Sequence, residues 1–136
     1  MAANGYLIDS NVLLDVLEED PSWFDWSSQA LAAAADSGTL VINPIIYAEV
    51  SIGLETVEEL EALLPKTEFL RAPLPWEAAF LAGKCFLRYR RRGGSKRSPL
   101  PDFFIGAHAA VADLALVTRD ANRYRTYFPG VHLIDP

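Results

Sequence analysis

Hydrophobic residues follow two alternating patterns along this chain, short continuous runs and longer stretches with helical spacing. The short runs are typical of strands that are buried on both faces. Because parallel strands need crossover connections, strands that alternate with helices predict a mainly parallel sheet flanked by helices. We therefore predict one α/β domain, residues 1–136, with about five strands, built on these runs: Tyr6–Ile8, Leu40–Ile42, Phe69–Leu70, Ala115–Val117, and Val131 with Leu133 and Ile134.

Four longer segments carry the helical pattern: residues 22–38, 43–53, 75–94 and 101–113. The first ends at Gly38, a suitable C-terminal cap, and the second opens with the helix-starting pair Asn43-Pro44. The third has arginines in its last turns and ends at Gly93-Gly94. The spacing places one group of its residues on a single face: Trp76, Phe80, Gly83, Phe86 and Leu87.

Composition narrows the class of protein. The chain has 136 residues, of which 51% are hydrophobic, enough for one compact domain with a genuine core. No apolar run approaches the roughly 20 residues that span a bilayer, and the first residues do not have the pattern of an export signal. Cys85 is the single cysteine and forms no internal disulfide. These features predict a cytoplasmic protein that makes no membrane contact.

Charge is distributed unevenly along the chain. The formal net charge is −6, but residues 84–97 hold seven of the 12 basic residues and no acidic residue. The rest of the chain has five basic and 18 acidic residues, a formal charge of −13. A simple interpretation is that these residues form a solvated helix end, where arginines hydrogen-bond to the last carbonyls of the helix. This interpretation explains some of the basic residues in the stretch. It leaves the cations beyond the double glycine unexplained, so we predict RNA contacts from Arg90, Arg91, Arg92, Lys96 and Arg97, with Tyr89 available to stack on bases.

Four carboxylates stand out by their positions. Asp9 directly follows the first predicted strand, and Asp120 follows the strand that ends at Val117. Asp102 opens the helix before that strand, and Glu49 lies within a helix on an otherwise apolar face. Each aspartate, taken alone, could be a helix cap worth about 0.5–2 kcal/mol, and Glu49 alone could be a surface residue. Together they favour a site at the carboxyl ends of parallel strands.

Four converging carboxylates would repel one another. Two unit charges about 4 Å apart cost roughly 4 kcal/mol at an effective dielectric near 20, more than a cap contributes. Either some of the acids are protonated or a hard cation lies among them. Oxygen ligands favour Mg²⁺ or Mn²⁺. Zinc is disfavoured because His108, His132 and Cys85 lie in no ligand-like spacing.

The motifs of this chain resemble those of a known family. "YLIDSNVLLDVL", "NPIIYAEVSIG" and "PLPDFFIGAHAAVADLALVTRDANRYRTYFPGVHLIDP" resemble PIN-domain nucleases, and within them VapC-type toxins of bacterial toxin–antitoxin modules. The resemblance implies that Asp9, Glu49, Asp102 and Asp120 form the acidic quartet of the active site. It assigns Asp9, Asp102 and Asp120 to the metal. Two further residues match support positions, namely Asn11 and Thr118.

The resemblance also implies an activity and partners. It predicts a Mg²⁺- or Mn²⁺-dependent endoribonuclease, acting on an RNA such as tRNA or rRNA and neutralised by a cognate VapB-type antitoxin. A homodimer is the expected assembly.

Two alternatives stay open from the residues. A phosphotransferase of the haloacid dehalogenase type would need a second aspartate where Asn11 stands. A catalytically silent protein-binding or RNA-binding module could use a groove on residues 55–65, although Leu60, Leu63 and Leu64 there also suit a core.

The remaining polar residues have simpler interpretations. His108 lies among alanines, which indicates a hydrogen-bonded structural histidine, and Cys85 beside Phe86 indicates packing. Three further acids fall outside the motifs and are expected on the surface: Asp15, Asp113 and Asp135.

Overall fold

A computed structural model describes residues 5–97 and 100–136 of the chain, so residues 1–4 of the predicted domain lie outside the described part. The helices are α1 (Ser10–Leu17), α2 (Phe24–Ser37), α3 (Pro44–Ser51), α4 (Val57–Leu63), α5 (Trp76–Arg91), α6 (Pro101–Ala112) and α7 (Asn122–Tyr127). The strands are β1 (Tyr6–Ile8), β2 (Leu40–Ile42), β3 (Phe69–Arg71), β4 (Ala115–Val117) and β5 (Leu133–Ile134).

These strands form one parallel sheet in the order β3-β2-β1-β4-β5. The first strand is therefore central, and it pairs with β2 on one side and β4 on the other. The predicted α/β class and parallel sheet are confirmed. Three strands have the predicted bounds, β3 extends to Arg71, and Val131 lies before β5.

The sheet is buried because its strands carry apolar residues on both faces. Leu7 and Ile8 of β1 and Leu116 and Val117 of β4 are fully inaccessible to solvent. Crossover helices cover the two faces, as right-handed parallel connections require. Because the central strands cannot move without opening this core, residues at their carboxyl ends have fixed positions.

The orientation of α5 differs from the simplest expectation for an amphipathic helix. Its buried residues are the small ones, Ala78, Ala82 and Cys85. Trp76 and Phe80 on the predicted apolar face are 89% and 69% exposed. Small residues face α6 at this contact, whereas Trp76 and Phe80 point to solvent. The prediction that Cys85 packs inside is confirmed.

Two buried polar contacts tie the helices to the sheet. Asn43 caps α3 by accepting from the Ile46 amide at 2.9 Å, and its Nδ2 donates to His108 Nδ1 at 2.9 Å. The structural interpretation of His108 is therefore confirmed. Burial lowers the pKa of this imidazole, which agrees with a neutral ring that accepts a hydrogen bond.

Asp15 was expected on the surface, and that expectation is wrong. Its carboxylate is 2% exposed, accepts from Ser27 Oγ at 2.7 Å and from Arg119 Nε at 2.8 Å. A buried carboxylate needs such partners, and the sequence spacing of 104 residues hid this one. Asp113 is exposed as expected, and Asp135 is partly buried beside Arg125.

In residues 5–97 and 100–136, no helix is both long and apolar enough to cross a membrane.

Candidate active site

Asp9 lies at the carboxyl end of the central strand, with its side chain 3% exposed. Its amide donates to the Val117 carbonyl at 2.9 Å, which continues the β1–β4 ladder by one residue. Although Asp9 precedes α1, its side chain makes no capping hydrogen bond to the helix amides. The capping alternative therefore does not account for this buried carboxylate.

The two oxygens of the Asp9 carboxylate have different surroundings. Oδ2 accepts from Thr118 Oγ1 and from Tyr124 OH, each at 2.9 Å, and Asn11 Nδ2 stands 3.5 Å away. The nearest hydroxyl to Oδ1 is Ser10 Oγ, at 3.5 Å. Hydrogen bonds on Oδ2 fix the orientation of the group, so Oδ1 is the oxygen left for a further ligand.

Ser10 connects Asp9 to Glu49. Its hydroxyl donates to Glu49 Oε1 at 2.9 Å across 39 residues of sequence, and it is buried directly after β1. Glu49 projects from α3, which follows β2, the neighbour of the central strand. The apolar face that singled out Glu49 in the sequence therefore faces the same end of the sheet as Asp9.

Asp102 reaches the site from the first turn of α6, where Leu100 is the capping residue and makes no side-chain cap. Tyr124 OH lies 3.3 Å from Asp102 Oδ1 and 2.9 Å from Asp9 Oδ2. A phenol hydroxyl has one proton, so it donates to one carboxylate at a time. On the other side, Arg123 Nη1 is 3.6 Å from Asp102 Oδ2.

Asp120 follows β4 and is the most exposed of the four acids. Its amide donates to Thr118 Oγ1 at 3.1 Å, and that hydroxyl in turn donates to Asp9. Asn11 also contacts this loop, because its Oδ1 accepts from the Arg119 amide at 3.3 Å. The structure thus places Asn11 and Thr118 between Asp9 and the loop that carries Asp120.

The electrostatics of the four acids are coupled. Burial raises the pKa of Asp9 from 3.8 to about 6, with the Asp102 and Glu49 charges adding to the rise and the Tyr124 and Thr118 hydrogen bonds opposing it. Burial and Asp102 likewise raise the pKa of Glu49. Burial and Asp120 raise the pKa of Asp102, against the Arg123 charge. The cluster therefore holds more negative charge than its own hydrogen bonds stabilise.

The donor set fits a hard divalent ion. All four candidate ligands are carboxylates, which suits Mg²⁺ or Mn²⁺. A cation would stabilise the ionised forms of Asp9, Glu49 and Asp102, which burial and neighbouring charges disfavour. In the described parts of the chain, however, no three carboxylate, imidazole or thiol side chains are close enough to form a complete metal site. Tyr124 OH lies between Asp9 and Asp102, so these two groups would have to approach each other to share an ion.

An open cleft of about 500 Å³ adjoins the cluster. Asp102 and Asp120 form its acidic end, and the other lining residues are Tyr89, Asn122, Arg123, Thr126 and Tyr127. Tyr89 stacks on Phe86, at 5.8 Å between ring centroids, and meets Phe103 edge-on at 5.7 Å. The side of the cleft formed by Tyr89 is therefore part of the core between α5 and α6, and its shape is fixed.

The basic residues predicted to contact RNA lie at and beyond the end of α5. Arg92 places its guanidinium 5.5 Å from the Tyr127 ring centroid, and Arg90 Nη1 donates to the Lys96 carbonyl at 2.6 Å. Arg91 and Arg97 are exposed. Arg90 thus binds the segment after the helix, not one of the last helix carbonyls, whereas Arg92 contacts a residue of the cleft.

Sequence reasoning missed three residues at the site: Ser10, Arg123 and Tyr124. Tyr124 is fully buried, and from the sequence alone it could not be told from an ordinary core aromatic residue. Its position four residues after Asp120, on the first turn of the following helix, was the available signal. Arg123 was hidden by its distance in sequence from the basic stretch.

This fold and site define a class of α/β protein in which acids from separate elements meet at the carboxyl edge of a parallel sheet. The family model described as PIN domain matches residues 6–129, and the chain belongs to the PIN domain family. The predicted membership is therefore confirmed. Comparison with curated protein sequences gives no match.

Solved structures of toxin–antitoxin complexes are similar to the whole chain. VapBC2 from Rickettsia felis, bound to a promoter DNA fragment, matches with a TM-score of 0.73 and 19% identity over 96% of this chain and 98% of that one. VapBC-1 from nontypeable Haemophilus influenzae matches with a TM-score of 0.71 and 18% identity over 96% of each chain. A toxin–antitoxin complex from Klebsiella pneumoniae matches with a TM-score of 0.67 and 25% identity over 93% of this chain and 95% of that one.

Proposed function

We propose that this protein is a metal-dependent endoribonuclease, the toxin of a VapBC-type toxin–antitoxin module. Membership in the PIN domain family and the likeness to toxin–antitoxin complexes support a toxin nuclease. The observation that carries the proposal is the placement of Asp9, Glu49, Asp102 and Asp120 around one end of the sheet. Each comes from a different element, and burial together with neighbouring carboxylates raises the pKa values of Asp9, Glu49 and Asp102.

We assign Asp9 and Asp102 as the principal ligands of Mg²⁺ or Mn²⁺, with Asp120 assisting. The bound ion supplies Lewis-acid stabilisation of the phosphodiester charge and a more acidic water. Thr118 and Tyr124 orient Asp9 through Oδ2, so that Oδ1 is presented to the ligand side. Ser10 holds Glu49 toward the same space.

Hydrolysis then needs a base on the side of the attacking water. Glu49 and Asp120 are the two candidates, because neither is enclosed by hydrogen-bond donors to the extent that Asp9 is. Water forms the new bond to phosphorus, its proton passes to one of these carboxylates, and the bond from phosphorus to one ribose oxygen breaks. The leaving oxygen takes a proton from solvent.

The proposal includes partners and location. A cognate VapB-type antitoxin would bind the toxin, RNA such as tRNA or rRNA would be its substrate, and the toxin would form a homodimer in the cytoplasm. The neighbouring VapBC complexes support the antitoxin, because each pairs a toxin with its antitoxin.

Cleavage of a structured RNA by the purified protein tests the activity. We expect cleavage with Mg²⁺ or Mn²⁺, no cleavage in EDTA, and recovery when the ion is restored. Asp9→Asn should reduce the rate at least a hundredfold, because it removes a principal ligand. Asp36→Asn is the matched control, since Asp36 is an exposed acid on α2 outside the cluster, and it should retain wild-type activity.

Cleavage that persists in EDTA, or in Asp9→Asn, would reject the mechanism. Absence of cleavage together with RNA binding would instead favour the catalytically silent module. Of the three leucines considered for such a groove, Leu60 and Leu64 are buried in the core and Leu63 is 40% exposed.

A further inference from the structure

We propose that the cleft beside the acidic cluster is a nucleotide subsite in which Arg123 holds a backbone phosphate of an unpaired RNA strand. The inference rests on the proposed nuclease function and specifies where its substrate lies. The cleft volume of about 500 Å³ is within the range of sites that enclose small ligands, roughly 300–1,000 Å³. Its acidic end is formed by two of the proposed catalytic carboxylates, so a nucleotide placed here adjoins the reacting phosphate.

The guanidinium of Arg123 has unused hydrogen-bonding capacity. Its closest charged partner is Asp102, at 3.6 Å, which is longer than a hydrogen bond. Among the described residues, no hydrogen bond is made by its five N–H donors, and its side chain is 37% exposed. By contrast, Arg125 on the same helix is paired with Asp135. Arg123 is therefore the arginine of α7 that can take a phosphate without breaking a close ion pair.

Aromatic rings hold this guanidinium in place. Its carbon lies 5.7 Å from the ring centroids of both Tyr89 and Phe103. Tyr89 is itself confined, because a Cβ at Gly94 would stand 2.2 Å from a ring atom. Since the charge is positioned before the ligand arrives, less side-chain entropy is lost on binding than for a free surface arginine.

The remaining lining suits a nucleotide better than a simple anion. Asn122 and Thr126 are exposed polar residues of α7, four positions apart, and therefore share one side of that helix. The Thr126 hydroxyl donates to the Asn122 carbonyl at 3.0 Å, so it offers a ligand an acceptor, whereas the Asn122 amide can donate and accept; together they suit the hydrogen-bonding edges of a ribose or a base. Single-stranded RNA offers such edges, whereas in an A-form duplex the bases are paired and stacked.

The basic stretch continues from this cleft. Arg88 and Arg92 place their guanidinium groups 5.6 and 5.5 Å from the ring centroid of Tyr127, which lines the cleft. A strand whose phosphate lies on Arg123 can therefore extend toward the end of α5. The acidic cluster repels RNA in the absence of a cation, so the attraction for RNA has to come from basic residues such as these arginines.

Binding without cleavage isolates this contact. We would measure the anisotropy of a short, unstructured, fluorescein-labelled RNA in EDTA over a series of NaCl concentrations. Arg123→Gln should weaken binding about tenfold, the effect of losing one charge-assisted hydrogen bond. The slope of log K against log salt should become shallower by about 0.7, the value for one phosphate of a single strand. Arg123→Lys should keep the wild-type slope.

Arg125→Gln is the matched control, since it removes the same charge two residues along α7 at a paired site. We expect the slope of Arg125→Gln to equal that of the wild type. Equal slopes for Arg123→Gln and Arg125→Gln would overturn the subsite, even if metal-dependent cleavage is intact. A shallower salt slope for Arg123→Gln, together with no metal-dependent cleavage by the wild type, would support the subsite and reject the nuclease proposal. Circular dichroism of each variant verifies the fold.

Discussion

Replacing Asp9 by asparagine should stabilise the metal-free protein at neutral pH, although it removes a proposed catalytic group. A pKa of about 6 in the folded chain, against an ordinary value of 3.8, corresponds to about 3 kcal/mol. Well below pH 3.8 both the folded and unfolded chains hold the proton, so Asp9 has no such effect. As pH rises from about 3 to above 6, the unfolded chain ionises first and the folded state loses this free energy.

The wild type should therefore lose about 3 kcal/mol of unfolding free energy between about pH 3 and pH 7.5 that Asp9→Asn does not lose. Urea unfolding in EDTA, followed by tryptophan fluorescence at several pH values, measures the difference. Asp36→Asn provides the baseline for removal of an exposed acid. Adding Mn²⁺ at about 100 times its Kd should return about 2.7 kcal/mol to the wild type only. Parallel pH profiles for wild type and Asp9→Asn would refute the reasoning.

Three further predictions concern the surroundings of the site. Tyr124→Phe should cost about 1.5–3 kcal/mol at pH 7.5 and less at pH 4, because it removes a hydrogen bond to ionised Asp9; urea unfolding at both pH values measures this. Asp15→Asn should lower the free energy of unfolding by about 2 kcal/mol, less than breaking a fully buried ion pair would, because Arg119 is partly exposed. Urea unfolding of Asp15→Asn, Arg119→Met and the double variant measures the coupling between the two residues. Gly106→Ala should cost about 1–3 kcal/mol, because its Cβ would stand 2.4 Å from a buried phenylalanine ring, and a lowered melting temperature is the expected readout.

Much of the fold could be predicted because the strands carry their own signal. Apolar runs such as Leu40–Ile42 and Ala115–Val117 coincide with β2 and β4, since both faces of those strands are covered. The orientation of α5 could not be predicted in this way. Its small residues pack inward and Trp76 faces outward, because the close approach of α6, not hydrophobicity alone, determines which side of the helix is buried.

For the site, the sequence indicated which acids to consider but not how they are held. Asp9 and Asp120 were indicated by their positions after predicted strands, because the carboxyl ends of parallel strands meet at one edge of the sheet. The hydroxyl of Tyr124 and the ion pair of Asp15 depend on distances across more than 100 residues, which local patterns do not encode. The catalytic roles of the acids stay predictions until the variants are assayed.

The strand order has a consequence for the timing of synthesis. Of the five strands described, the central one is made first, and its neighbour β4 is made fourth. A nascent chain that stops short of β4 therefore has Asp9 without Thr118, Asp120 or Tyr124 beside it. A fragment that ends before β4 cannot assemble the cluster, because it lacks Asp120 and the residues that orient Asp9.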